Sequence, residues 1–315
     1  MLVSIIIPNF NSELYLTECL DSCVSQLDAE NLEIIVVDDH STDSSTALLA
    51  TYRLKYPNLI KSFINPKKGA CSARNYGFEQ SKGDFIQFLD SDDMLSENKI
   101  KHQLEVIKKK DNAVANCGWI HFSKESKVKD YNVQKVDKSY SDSIEYLKDC
   151  WNGGGMWQTG CWLIPKNLVK MVGGWNESLL RNQDGEFMCR VLSEAQGIEF
   201  VNDNFVFYRK PIQFNVSQRS SFEAMESLLD SLKLYENVLE YRDSQDIKSS
   251  LCRNYNRFIY RNFNKFPDLG KQASSYIASL GCGVDIPFID KKLRLVNKLF
   301  GYRCAFMIRR IVKGY

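Results

Sequence analysis

The sequence predicts an α/β fold: a mixed, mostly parallel sheet flanked by helices, followed by a helical C-terminal region. Three observations carry this. Short β-branched runs alternate with helical patterns of roughly ten to fifteen residues over the first 122 positions, the signature of crossover units. The strand-like runs lack polar alternation, as expected where both faces of a sheet are covered. Beyond Ser220 the patterns are mainly helical.

Val3–Ile7 opens the chain as a buried strand stopped by Pro8, and a helix follows over Glu13–Gln26. A second strand, Glu33–Val37, ends in Asp38 and Asp39. Asp43 is then placed to cap a helix over Ser44–Lys55. Leu59–Ile64 reads as a weaker strand, Ser72–Ser81 as a helix, and Asp84–Leu89 as a strand running into Asp90-Ser91-Asp92-Asp93. Ser96 is a candidate cap for the helix that carries Lys99–Lys110, and Ala113–Phe122 is another strand. Lys124–Lys138 is polar, a surface excursion. A glycine- and tryptophan-rich stretch follows, then helices over Phe222–Tyr241, Ile247–Phe263 and Lys271–Leu280. The expected division is 1–215 for the α/β domain, itself split at 122/123, and 216–315 for the helical region.

Composition places the 315-residue chain among ordinary globular proteins, with 44% apolar and 25% charged residues. A net charge of +2 argues against a nucleic-acid partner. The ten cysteines form no C-x-x-C pair, so reduced thiols in a cytoplasmic protein are expected, with Cys19 and Cys23 packed in the core. The N-terminal apolar run lacks a basic leader and a cleavage site, and no stretch approaches the ~18–20 apolar residues that span a bilayer.

In parallel sheets ligands bind beyond the carboxyl ends of the strands. Three polar clusters fall there: Pro8-Asn9-Phe10-Asn11, Asp38-Asp39 and Asp90–Asp93. Any one of them has a plain reading as a turn or a helix cap. Three carboxylates within four positions do not, because at ~4 Å each like-charged pair repels by about 1 kcal/mol even with water-like screening. A divalent cation reverses that term, and carboxylate oxygens suit Mg²⁺ or Mn²⁺. Such an ion completes its shell with substrate phosphates. With no P-loop or G-x-G-x-x-G after any strand, the economical ligand is a nucleoside diphosphate held mainly through metal, with Lys67, Lys68 and Arg74 assisting.

Four blocks then carry a resemblance: S-I-I-I-P-N-F-N, E-I-I-V-V-D-D-H-S-T-D, G-A-C-S-A-R-N-Y-G and G-D-F-I-Q-F-L-D-S-D-D. In order and spacing they resemble a family-2 glycosyltransferase, closely over residues 3–122 and more loosely to about 210. The resemblance implies the GT-A fold, inverting chemistry and a UDP-sugar donor. Pro8, Phe10 and Asn11 would then line the base and ribose, and Asp39 would accept the N3–H of uracil. Arg74, Asn75 and Ser91 would complete the nucleotide pocket. Asp90-Ser91-Asp92 becomes the D-x-D motif, with Asp90 near ribose and metal and Asp92 the direct ligand of Mn²⁺ or Mg²⁺. The N-terminal half to residue 122 would bind the nucleotide, and residues 123–215 the acceptor.

Sugar transfer to a hydroxyl also needs a carboxylate base. In G-G-W-N-E-S-L-L-R-N-Q-D-G-E-F, the resemblance puts Asp184 in that role, although an N-cap for a helix over Gly185–Glu194 fits the same spacing. Glu186 is the rival base. Trp157 and Glu186 are candidates for the acceptor side, a glycan or lipid-linked sugar in bacterial surface polysaccharide synthesis. Two departures stand out. His40 replaces the usual glycine of D-D-G-S, and no histidine follows Tyr208-Arg209, leaving Lys210 or Arg219 as substitutes.

Residues 291–315 hold eight Lys or Arg and no acid, with Phe300, Cys304, Met307, Ile308 and Ile311 on one helical face. That pattern is a basic interfacial helix suited to an anionic inner-membrane surface. A homodimer is compatible with the helical region. Two rival functions share the acidic crevice: a sugar-phosphate nucleotidyltransferase, and a catalytically inactive nucleotide-sugar-binding module. The first should open with a glycine-rich loop where this chain has P-N-F-N; the second has no need of Asp39, Asp92 and Asp184 together.

Overall fold

The computed structural model describes residues 1–26, 31–122, 131–209, 220–287 and 290–313. They fall into two compact units. The first takes in the described residues of 1–150, 154–178 and 190–209; the second takes in those of 151–153, 179–189 and 220–313.

The first unit is built on β1 (Val3–Asn9), α1 (Leu16–Val24), β2 (Leu32–Asp38), α2 (Ser45–Lys55), β3 (Ile60–Ile64), α3 (Ala70–Gln80) and β4 (Phe85–Phe88). Next come β5 (Met94–Leu95), α4 (Lys99–Ile107), β6 (Ala113–Phe122), α5 (Ser143–Trp151), β7 (Ile164–Pro165) and α6 (Lys166–Met171). Helix α7 (Gln183–Glu194) begins in the second unit and leads into β8 (Gly197–Arg209). The main sheet has the order β3-β2-β1-β4-β7, parallel except for β7. A second sheet, β5-β8-β6, pairs β8 antiparallel to β5 and parallel to β6. The α/β fold and mostly parallel sheet are as the sequence predicts.

Every residue of β1 and β2 is buried, which explains their unbroken apolar runs. β1 does not stop at Pro8 but continues to Asn9. The Ile6 carbonyl accepts from Leu89 on the β4 side, and the Asn9 carbonyl accepts from Asp39 on the β2 side. By alternation Pro8 faces the β4 side, past the last ladder pair Ile6–Phe88, where its missing N–H leaves no bond unmade. Helix α3 approaches β1 closely because residue 77 is glycine: a Cβ there would stand 2.5 Å from Ile6 Cγ2.

At the opposite end of the sheet, buried Glu33 gathers three strands. Its carboxylate accepts from Ser4 Oγ (2.7 Å), Lys61 Nζ (2.8 Å) and the Lys82 N–H (2.5 Å). Burial alone would raise its pKa, but those donors outweigh it and hold the carboxyl below its ordinary range. Under β4, Lys99 is wholly buried, its Nζ donating to Gln87 Oε1 and to the Gly160 carbonyl.

The expected caps shift. Asp43 does accept from Ser45 N (3.0 Å), at the start of α2. Ser96 does not cap α4; its hydroxyl takes the Phe205 N–H (2.9 Å), joining the β4–α4 segment to β8. The excursion expected at Lys124–Lys138 lies partly outside the described residues.

The second unit is helical, with α8 (Phe222–Leu234), a 3-10 turn (Tyr235–Glu240), α9 (Gln245–Asn262), α10 (Pro267–Ser279) and α11 (Lys291–Lys313). The single helix expected over Phe222–Tyr241 therefore tightens after Leu234. Helix α11 breaks at Gly301 (φ 78°), and beyond the break Phe306 stacks on Phe263 with ring centroids 4.9 Å apart. No described helix is long and apolar enough to cross a membrane.

Replacing Glu33 by Ala strands the buried Ser4 hydroxyl, the Lys82 N–H and a lysine, and urea denaturation at pH 7 should show a loss of about 2–3 kcal/mol. Its contribution is present above the ordinary glutamate pKa of about 4.3 and lost as pH falls below it. The Glu33→Gln protein should accordingly lose less stability than the parent between pH 6 and 3.

Candidate active site

The order of the main sheet reverses between β1 and β4, and the crevice beyond their carboxyl ends is where a parallel sheet receives ligands. Asn9, Asp38 and Asp39 lie at the ends of β1 and β2, and Asp90–Asp93 lie just past β4.

Asp38 and Asp39 have different duties. Asp38 is buried and accepts from Asn9 Nδ2 (2.7 Å) and Ser41 N (3.0 Å), fixing the two loops. Asp39 is half-buried and accepts from Asn65 Nδ2 (2.7 Å) and from Gly69 N, 2.9 Å from Oδ2. His40 adopts a left-handed backbone (φ 63°), which accounts for the glycine usual there; its Nε2 is 3.0 Å from the Lys67 carbonyl. Pro8 is buried within β1, whereas Phe10 is 59% exposed one residue past it. Asn11 Oδ1 accepts from Thr42 N (2.7 Å), so it braces the neighbouring loop.

Arg74 on α3 donates to Asp90 Oδ1 (2.6 Å) and lies over the Trp175 ring, 4.4 Å from its centroid. Asn75 turns to the loop after α6, donating to the Trp175 carbonyl (2.9 Å) and Glu177 (2.9 Å) and accepting from Trp175 N (2.7 Å). Lys67 pairs with Glu177 at 2.8 Å. The Ser91 hydroxyl meets that of Ser12 at 2.7 Å, linking the β1 and β4 loops.

The residue with no role in the sequence reading is Asp93. Its buried carboxylate accepts from the Arg209 N–H (2.9 Å), while Arg209 Nε donates to the Asp92 carbonyl (2.8 Å). The Arg209 guanidinium also pairs with Glu18 and is covered by the rings of Tyr15 and Phe122. Asp93 thus fastens the acidic turn to the end of β8. Burial, then the charges of Asp92 and Asp90, push its pKa well above the usual carboxylate range. Asp92 is pushed up to about 6, by burial first and then by Asp90. Sequence reasoning saw the Tyr208-Arg209 pair but missed this role, because its partners lie more than 100 positions away.

Among the described residues no group of three or more His, Cys, Asp or Glu is arranged to hold a metal ion. Asp90 and Asp92 nonetheless supply the hard oxygens of which Mg²⁺ or Mn²⁺ takes one or two from protein. Burial and the neighbouring charge of Asp90 both disfavour the ionised form of Asp92, and a cation between the two carboxylates would offset both, so the pair fits such an ion.

Asp184 and Glu186 belong to the second unit. Helix α7 starts at Gln183, so Asp184 lies in its first turn and does not cap it. Left-handed Asn182 (φ 57°) supplies the carbonyl that receives Glu186 N (3.0 Å), and its amide donates to the Tyr235 hydroxyl (2.7 Å). Residue 185 must be glycine: a Cβ would stand 2.3 Å from the Tyr235 hydroxyl oxygen. Asp184 is half-buried and Glu186 buried, and the charges of both, after burial, help to raise the Tyr235 pKa. Trp157, in the first unit, packs against Tyr146 and Trp162 with centroids 5.7 and 6.1 Å away. Lys210 and Arg219 lie outside the described residues.

Residues 4–170 match the family described as Glycosyl transferase family 2. The chain belongs to that family. An uncharacterized glycosyltransferase of Rickettsia typhi is 34% identical over 203 residues, covering 61% of this chain and 58% of that protein. The minor teichoic acid biosynthesis protein GgaB of Bacillus subtilis is 37% identical over 131 residues, 41% of this chain and 15% of that one. The matches therefore span less than two thirds of either relative. Among solved structures, S. aureus TarS 1–349 in complex with UDP-GlcNAc resembles the chain with a TM-score of 0.73. That likeness covers 100% of this chain and 92% of that one at 18% identity, and it establishes the GT-A fold of this family-2 member.

Arg209→Met keeps the main-chain N–H on Asp93 but removes the Glu18 pair and the bond from Nε to the Asp92 carbonyl. Chemical denaturation should register a loss of about 2–3 kcal/mol. Arg209→Lys, which keeps the charge but not the fork, should recover only part of it.

Proposed function

We propose that this family-2 glycosyltransferase is an inverting enzyme that moves a sugar from a UDP-sugar to a hydroxyl of a surface-polymer precursor. The observation that carries the donor half is the convergence of Asn9, Asp39, Asp90 and Asp92 at the strand ends flanking the switch point. Exposed Phe10 offers a face for the base, Asp39 a carboxylate for the uracil N3–H, and Asp90 and Asp92 the oxygens for Mn²⁺ or Mg²⁺. The bound ion would neutralise the diphosphate and ease its departure. Arg74, stacked and ion-paired, holds Asp90 in place for this.

In the transfer, the acceptor oxygen attacks the anomeric carbon, the bond to the diphosphate breaks, and UDP carries away the electron pair. The hydroxyl proton passes to Asp184, which family pattern favours and whose half-exposed carboxylate is more accessible than that of Glu186. The teichoic acid name of one relative supports a surface-polymer acceptor. The nucleotidyltransferase reading has no glycine-rich loop after β1 to support it.

A membrane partner is the second part of the proposal. Helix α11 leaves Leu295, Leu299, Phe300, Met307, Ile308 and Ile311 exposed amid basic residues, and it carries no acid. Apolar anchors ringed by cations match an anionic lipid surface.

Two measurements test these statements. Calorimetric titration of UDP with MnCl₂ should show binding that Asp92→Asn weakens by about 100-fold (2.7 kcal/mol); unchanged binding removes Asp92 from the metal. Sedimentation with phosphatidylglycerol vesicles should fall sharply in a Leu295→Asp/Ile311→Asp protein and be unaffected by Asp92→Asn. Equal sedimentation of both would refute the lipid assignment.

A further inference from the structure

The second unit carries a run of arginines that the donor site does not use. Arg253, Arg257 and Arg261 stand four residues apart on α9, so they lie one above another on a single face of the helix. Arg253 and Arg261 are exposed, and Arg257 is half-buried. Arg257 has its pKa lowered by burial, then by the charges of Arg261 and Arg253. Arg181, in the turn before α7, is lowered by burial and then by Arg261, so a fourth guanidinium joins the row. Among the described residues Arg253, Arg257 and Arg261 form no ion pair.

A second observation points to a missing acceptor. The Nδ2 of Asn254, one turn before Arg257, is buried with no hydrogen-bond partner among the described residues. Its Oδ1 lies 3.5 Å from Arg257 Nη1, too long for a strong bond. On another side the exposed turn at Gly153 lies close against the guanidinium, where a Cβ would stand 3.2 Å from Arg257 Nη2. A buried amide donor without an acceptor costs about 1–3 kcal/mol, and gathered cations repel; an anion relieves both.

We propose that Arg253, Arg257, Arg261 and Arg181, with the Asn254 amide, form a subsite for the phosphate groups of a phosphodiester-bearing acceptor chain. Guanidinium forks match phosphate oxygens two at a time. Four residues of helix advance about 6 Å, so the arginines present donors in line, which suits repeated charges better than one ion. This inference names the acceptor chemistry left open by the proposed sugar transfer and rests on that reading for the reaction, though not for the binding.

The test is fluorescence anisotropy of the full chain with a labelled poly(glycerol phosphate) oligomer, and with a dextran of equal length as the neutral control. The parent should bind the oligomer and not the dextran. Arg257→Gln/Arg261→Gln should weaken binding about tenfold or more, and Arg253→Glu, on the exposed end, should do so without cost to folding. Arg257→Lys should fall between. UDP titration with MnCl₂ should be the same in all of these proteins. Variants that bind the oligomer like the parent, or a parent that binds dextran equally, overturn the subsite. Loss of phosphatidylglycerol-vesicle binding with oligomer binding intact also overturns it, assigning the row to lipid headgroups. A parent that binds the oligomer through these arginines but not UDP supports the subsite and refutes the donor chemistry instead.

Discussion

The turn Asp90–Asp93 sets the terms for the rest of the first unit, because three carboxylates beside a buried strand must be held apart and offset. Two arginines from distant parts of the chain do this in different ways. Arg74 neutralises the Asp90 side chain from α3. Arg209 grips the turn through backbone: its N–H binds the Asp93 carboxylate and its Nε the Asp92 carbonyl, while its remaining charge goes to Glu18. Burial and the charge of Asp90 raise Asp92 to about 6 despite the opposing charge of Arg209, and buried Asp93 is raised further. The proposed Mn²⁺ or Mg²⁺ would supply positive charge to the Asp90–Asp92 pair from the open side of this turn.

The aromatic rings follow from the same constraint. A buried guanidinium is costly unless its faces are covered and its donors engaged. Trp175 covers Arg74, and Trp175 is itself held edge-on by Phe88 at 5.3 Å. Asn75 then locks the loop that presents Trp175. Asn75, expected in the nucleotide pocket, is thus engaged in fixing the residue that fixes Arg74, and a change there would reach the acidic turn through two packed contacts.

What the sequence made legible was the part whose signal is local. β1, β2 and the run into Asp90 are mostly apolar segments because both faces are covered, and each ends in polar residues at the carboxyl edge of the sheet. The short elements were opaque. β5 and β7 have two residues each, too few to show a period, and the sheet β5-β8-β6 is visible only once Met94 meets Phe207. Asp93 was unreadable for the same reason, its partner lying 116 positions away. The start of α7 was misjudged by two residues, since a left-handed asparagine supplies the cap geometry that the pattern assigned to Asp184.

The two units treat their unbalanced charge in opposite senses. In the first, excess negative charge is concentrated on a turn braced by hydrogen bonds, so a small, strongly charged ion gains most there. In the second, positive charge is spread along the face of α9 on long side chains, two of them exposed. Rigid geometry rewards a ligand of fixed shape, whereas flexible guanidinium forks at regular intervals reward repetition of charge and tolerate variation in what lies between. A nucleoside diphosphate is the first kind of ligand and a phosphodiester polymer the second. The proposed transfer from a nucleotide donor to a repeating acceptor needs both kinds of recognition.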